Sequence, residues 1–156
     1  MFNLYEQETE TKFDIIQKED VILMYLTAVP GGFFSSTQLQ KGMFLISKTI
    51  PMIFETNYEF IPESYGPVDK AVYEDFDKLK VLKMVTRFST DNPHRVSYAA
   101  THNGFEYVQR YTIADNHKDY IKRVAKWILN LSFVELIKSI NTAYPDYATN
   151  TIFIDV

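Results

Sequence analysis

The chain predicts a mostly helical α+β fold: three helices, a β-hairpin after them, and additional C-terminal helices. Three observations carry that expectation. Apolar residues fall into helix-length runs bounded by caps and breakers. Two β-rich runs, Met84 to Phe88 and Arg95 to Ala100, flank the turn-forming cluster Ser89-Thr90-Asp91-Asn92-Pro93-His94. A chain of 156 residues with 46% hydrophobic and 15% aromatic content is enough for one buried core in which rings carry much of the packing.

Each element follows from local chemistry. Glu6, Glu8 and Glu10 sit in a polar opening without an apolar period, which predicts a flexible or edge N-terminal arm over residues 1–17 ahead of a single domain over residues 18–156. Val21 to Leu26 are continuously apolar behind Glu19 and Asp20, acids that favour a helix N-terminus, and Pro30-Gly31-Gly32 stops the run. Ser35 precedes Gln38 by three, the reciprocal capping box, and Leu39, Met43, Phe44 and Ile46 make the apolar stripe of a second helix that ends at Pro51. Lys41 and Lys48 lie off that stripe. Tyr58 and Phe60 alternate with Asn57 and Glu59, the period of a short edge strand within Phe54 to Ile61.

A proline at a first helical position lacks only an N–H that would be unpaired anyway, so Gly66-Pro67 predicts a turn that launches helix three through Val72, Phe76 and Leu79. Lys70, Glu74, Asp75, Asp77 and Lys78 take its wet side. The hairpin of Met84 to Ala100 then stands after three helices as a wing, with Lys83, Arg87 and Arg95 on its arms. Thr101 caps a helix through Phe105, Val108, Tyr111 and Thr112, and Asp115 or Asn116 caps the next, through Ile121, Val124, Trp127 and Ile128. Trp127 is expected in the core. Ser132 and Glu135 repeat the capping box for a last helix to about Ala143, followed by an extended tail.

Composition narrows the function. The chain has no cysteine, which removes thiolate chemistry and cysteine zinc sites and fits a cytoplasmic location. It shows no run of about 18 apolar residues, so no membrane role is expected. His94, His102 and His117 are dispersed, and no phosphate-cradling glycine motif or nucleophile elbow occurs, so neither metal nor cofactor is expected. Adjacent carboxylates such as Asp75 and Asp77 point in different directions on a helix and read as solvated surface rather than catalytic pairs. The chain therefore reads as a non-enzymatic binding module, with a small nuclease as the enzymatic alternative. Net charge is −4, but residues 1–77 carry 5 Lys/Arg against 13 Asp/Glu and residues 78–126 carry 10 against 4. The acidic balance favours a protein partner; DNA and a second copy of the chain remain alternatives.

Three passages, in this order, resemble a known family. They are Leu39-Gln40-Lys41-Gly42-Met43-Phe44-Leu45-Ile46; Tyr58-Glu59-Phe60-Ile61-Pro62-Glu63-Ser64-Tyr65-Gly66-Pro67-Val68 with Val72-Tyr73-Glu74-Asp75-Phe76; and Tyr98-Ala99-Ala100-Thr101-His102-Asn103-Gly104. Together they are similar to the Panacea-type proteins, which include SocA-like antitoxins and uncharacterised phage-associated and YwgA-type proteins of bacteria and archaea. Leu136-Ile137 and Tyr144-Pro145-Asp146-Tyr147-Ala148-Thr149-Asn150 resemble the end of the YwgA-type members. The likeness spans residues 18–150, and Tyr65-Gly66-Pro67 before a helix is its most specific piece. It implies a winged-helix-like core with a C-terminal helical extension, and an antitoxin or regulatory role in defence or mobile-element systems, without catalytic residues. Glu63 departs from the basic or neutral residue expected before Ser64. The connection from Pro51 to Pro67 is also far longer than the roughly 3–4-residue turn of a helix-turn-helix reader.

The candidate contact residues are seven. Tyr65 either packs the turn under helix three or touches a partner, and Lys70 is exposed one turn into that helix. Arg87 and Arg95 either bind phosphates or pair with acidic neighbours across the hairpin. Lys118, Lys122 and Arg123, with Lys126, share a helix face that is either solvated or binds nucleic acid.

Overall fold

The computed structural model describes residues 16–89 and 95–151. Most of the expected N-terminal arm, the wing tip with His94, and the last five residues lie outside the described residues. The helices are α1 (Lys18–Thr27), α2 (Ser36–Thr49), α3 (Ala71–Val81), α4 (His102–Val108), α5 (Asp115–Leu129) and α6 (Phe133–Ala143). The strands are β1 (Phe34–Ser35), β2 (Ile61–Glu63), β3 (Gly66–Val68), β4 (Val85–Ser89) and β5 (Val96–Ala100). The expected mostly helical α+β class is what the chain adopts. Three helices precede the β4–β5 hairpin, and β1 joins it in an antiparallel sheet of order β1-β5-β4.

Helix α1 is the centre of the molecule. Every residue from Asp20 to Leu26 is buried, because α2, α3, α4 and α5 all pack around it. A helix with no wet stripe must be a core helix, which the continuous apolar run had announced. Tyr25 lies across Gly42 of α2, so closely that any Cβ there would run into the ring, and its hydroxyl donates to the Gln38 carbonyl at 2.8 Å. Both capping boxes form, Ser35 with Gln38 and Ser132 with Glu135, and Thr101 caps α4 by accepting from the Gly104 N–H. Among the described residues no helix is long and apolar enough to cross a membrane.

Several local expectations are corrected. Pro67 does not begin helix three; it sits in β3, directly opposite Pro62 of β2. Two residues without N–H groups can face each other only at a position that needs no ladder bond, and an antiparallel pair supplies such a position at every second residue. Gly66, with φ at 99°, closes that small hairpin. Helix α3 starts four residues after Pro67, where Asp69 accepts from the Ala71 N–H at 2.9 Å.

The stretch from Phe54 to Phe60 makes no strand beyond one parallel bridge between Phe54 and Ile16, although Tyr58 is buried and Glu59 exposed as the alternation requires. Side-chain alternation records burial, and among the described residues no neighbouring strand runs alongside to complete a ladder. Helix α4 ends at Val108, leaving Tyr111 and Thr112 beyond it, and α5 has Ala114 at its N-cap with no side-chain cap from Asp115 or Asn116. After α6 the chain takes a short 3-10 turn, Pro145–Tyr147, where the tail was expected to begin extended; the last five residues of that tail lie outside the described residues.

Candidate partner-binding surface

The insertion between α2 and α3 shapes a cleft held by side-chain to backbone hydrogen bonds. Gln40, fully buried in α2, grips the backbone of Asp69 from both sides: its amide donates to the Asp69 carbonyl at 3.0 Å and its carbonyl accepts from the Asp69 N–H at 3.1 Å. Asp69 in turn accepts from the Glu59 N–H at 2.7 Å. One turn of helix α2 thereby fixes both the exit of the hairpin and the launch of α3, so the launch expected of Gly66-Pro67 is set instead by Gln40 and Asp69. From the other side, Asn150 donates to the Pro62 carbonyl at 3.1 Å and Thr151 to the Ser64 carbonyl at 3.1 Å. The β2–β3 hairpin is held between α2 and the chain that follows α6.

Lys41 is the largest departure from expectation. It is 1% exposed, not on a wet face, because the hairpin folds back over the polar side of α2. Its ammonium donates to the Pro67 carbonyl at 3.0 Å, and burial pulls its pKa from the usual 10.5 down to about 8. The hairpin, α2 and the start of α3 enclose a cleft of about 280 Å³, lined in part by Lys41, Glu63, Tyr65, Lys70 and Tyr73, with Ser36 and Thr37 from the first turn of α2.

Of the residues singled out by sequence, Tyr65 and Lys70 meet at this cleft. Tyr65 does not pack under helix three; it is 40% exposed, with its ring edge-on to Phe133 of α6 at 5.2 Å. Tyr73 stacks on Tyr98 of β5 at 6.1 Å, and Tyr98 faces Arg87 across the β4–β5 ladder. Burial raises the Tyr98 hydroxyl against the opposing effect of the Arg87 guanidinium. Arg87 therefore continues the same surface, and among the described residues it meets a tyrosine across the hairpin. Arg95 is exposed just ahead of β5.

Lys118, Lys122 and Arg123 belong elsewhere. All three are exposed on α5; Lys118 and Lys122 border a groove of about 450 Å³ floored by Met24, Ile113 and Ile121, while Arg123 lies over the Tyr120 ring at 5.8 Å. His102 is at the surface, as expected, 3.5 Å from Glu106, whereas His117 is buried. Among the described residues no three or more His, Asp or Glu side chains converge as a metal site would require.

Two further corrections concern α3 and α5. Asp75 is not solvated: it is 2% exposed, accepting from the Tyr58 hydroxyl at 2.8 Å and lying 3.2 Å from the Lys78 ammonium. Its place three residues after Val72 and four before Leu79, beside the apolar stripe, was the signal that could have found it. Trp127 is 42% exposed, because its position falls outside the stripe of Ile121, Val124, Ala125 and Ile128. Gln40, Lys41 and Tyr73 were missed as lining residues, since nothing local to α2 or α3 says that a distant hairpin will roof them. The sequence matches no family model and no curated protein.

Proposed function

We propose that this chain is a non-enzymatic, cytoplasmic binding module, an antitoxin-like or regulatory protein of a bacterial or phage defence or mobile-element system, which acts by stoichiometric binding to a protein partner. The resemblance to Panacea-type proteins supplies the biological setting. The observation that carries the binding mode is the cleft in which Tyr65 and Tyr73 stand beside Lys70 and Glu63. Tyrosines bring large contact area at low conformational cost, and charges of both signs suit a polar polypeptide better than a polyanion. The exposed side chains of α3 agree: Glu74 and Asp77 offset Lys78 and Lys80, so the helix that would enter a DNA groove offers no net attraction to phosphate.

The test is capture of the neighbouring gene product by the tagged chain. A one-to-one complex is expected, lost in Tyr73→Ala combined with Lys70→Glu and kept when Lys118, Lys122 and Arg123 are all changed to Glu. A second reading, a winged-helix DNA-binding transcriptional regulator, is favoured by Arg87 on β4 and Arg95 just ahead of β5. Failure of capture together with sequence-specific duplex binding would put it first.

A further inference from the structure

Among the described residues Lys41 is a cation that the fold buries without a counter-charge in hydrogen-bond reach. Among the described residues its hydrogen-bond partner is a neutral carbonyl, that of Pro67, which uses one of its three N–H donors. Its ammonium lies under the hairpin, 3.7 Å from where a Cβ added to Gly66 would stand. A clamp on Pro67 needs one neutral donor, and a buried ammonium is a costly way to supply it.

The other charges at the cleft are Lys70 ahead of α3 and Glu63 on β2, so with Lys41 the lining carries a net positive charge. The first turn of α2, at Ser36 and Thr37, borders the same space with the positive end of a helix of 14 residues.

We propose that this cleft is an anion seat, and that it receives a carboxylate side chain presented by the partner protein, held between Lys41 and Lys70. The proposal rests on the cleft being the partner surface. It adds that recognition there depends on an acidic residue of the partner. Insertion of the carboxylate supplies the charge that Lys41 lacks, and so raises the proton affinity of its ammonium.

The experiment uses the intact chain with 13C-labelled lysine and follows the Lys41 Cε resonance, assigned by its loss in Lys41→Met, through a pH titration. Three probes are compared: doubly capped glutamate, doubly capped glutamine and inorganic phosphate. Capped glutamate at saturation is expected to raise the Lys41 midpoint by about one pH unit or more, with capped glutamine leaving it in place. Lys70→Met, a change at an exposed position, is expected to weaken the glutamate effect about threefold to tenfold.

An unmoved midpoint with glutamate, or an equal shift with glutamine, overturns the seat. A shift with phosphate alone overturns the carboxylate assignment. Capture of a partner alongside an unmoved midpoint sinks the seat and leaves the binding module standing, whereas a glutamate response without any captured partner sinks the module and leaves the seat.

Discussion

At the scale of single residues, the two buried charges of the α2–α3 region behave oppositely, and both predictions follow from their partners. Lys41 is held by burial at a pKa of about 8, below the ordinary 10.5 that it recovers on unfolding. Between those values the unfolded chain binds more protons than the folded one, so stability rises with pH across that window. Below it, where Lys41 is charged in both states, the desolvation cost is borne in full. The urea midpoint of the native protein, measured relative to Lys41→Met, is therefore expected to climb from about pH 8 toward pH 10.5, by up to about 3 kcal/mol in unfolding free energy. The variant has no such dependence, and buried tyrosines that titrate above pH 10 cancel because both proteins carry them. Parallel curves would disprove an uncompensated Lys41.

Asp75, by contrast, is satisfied. Its carboxylate accepts from Tyr58 and faces Lys78, and Tyr58 in turn is pushed upward by its own burial and by Asp75. Asp75→Ala leaves the Tyr58 hydroxyl without its acceptor in the interior and is expected to cost about 1–3 kcal/mol by urea denaturation. The double change Asp75→Ala with Tyr58→Phe should recover part of that loss, because it removes the orphaned donor along with the acceptor.

Elements were legible wherever a few neighbouring residues decide them. Ser35 with Gln38, Ser132 with Glu135 and Thr101 each announce a helix start that the chain adopts, and the turn cluster between two β-rich runs announces the β4–β5 hairpin. The cleft was legible only in its exposed members, Tyr65 and Lys70. Lys41 and Gln40 stand on the polar side of an amphipathic helix, and only the return of a hairpin more than twenty residues later turns that side inward. Pro67 misled for a related reason: a proline fits a first helical turn and an unbonded strand position equally well, and the opposing Pro62 is what selects the strand.

The contact between α1 and α2 gives a prediction at this scale. Alanine is a better helix former than glycine by about 1 kcal/mol, so Gly42→Ala would stabilise an isolated α2. In the protein its Cβ meets the Tyr25 ring, which is fully buried and cannot step aside. A net destabilisation of about 1–3 kcal/mol is expected, seen as a lowered melting temperature, with relief in Gly42→Ala combined with Tyr25→Leu. A raised melting temperature would show that the two helices have room to separate.

For the molecule as a whole, the charge segregation in the sequence becomes two basic surfaces on different packing units. Lys118, Lys122 and Arg123 ride on α5, which packs against α1 and α2, while Arg87 and Arg95 belong to the hairpin that continues into α3 and α4. The exposed side of α3 is charge-balanced, with Glu74 and Asp77 against Lys78 and Lys80. Tight DNA binding requires many phosphates neutralised together, each contributing about −0.9 to the slope of log affinity against log salt. Neither basic surface alone supplies the six to ten contacts typical of such proteins, and the overall charge of −4 opposes the approach.

Fluorescence anisotropy with a generic duplex at low salt is therefore expected to show weak binding with a slope no steeper than about −3. Changing Arg87 and Arg95 to Ala should remove about two contacts' worth of that slope, and changing the three α5 residues should act independently of it. A slope of −6 or steeper, abolished by either set alone, would mean that the two surfaces bind one duplex together. The charge-balanced face of α3 would then have to be turned away from it.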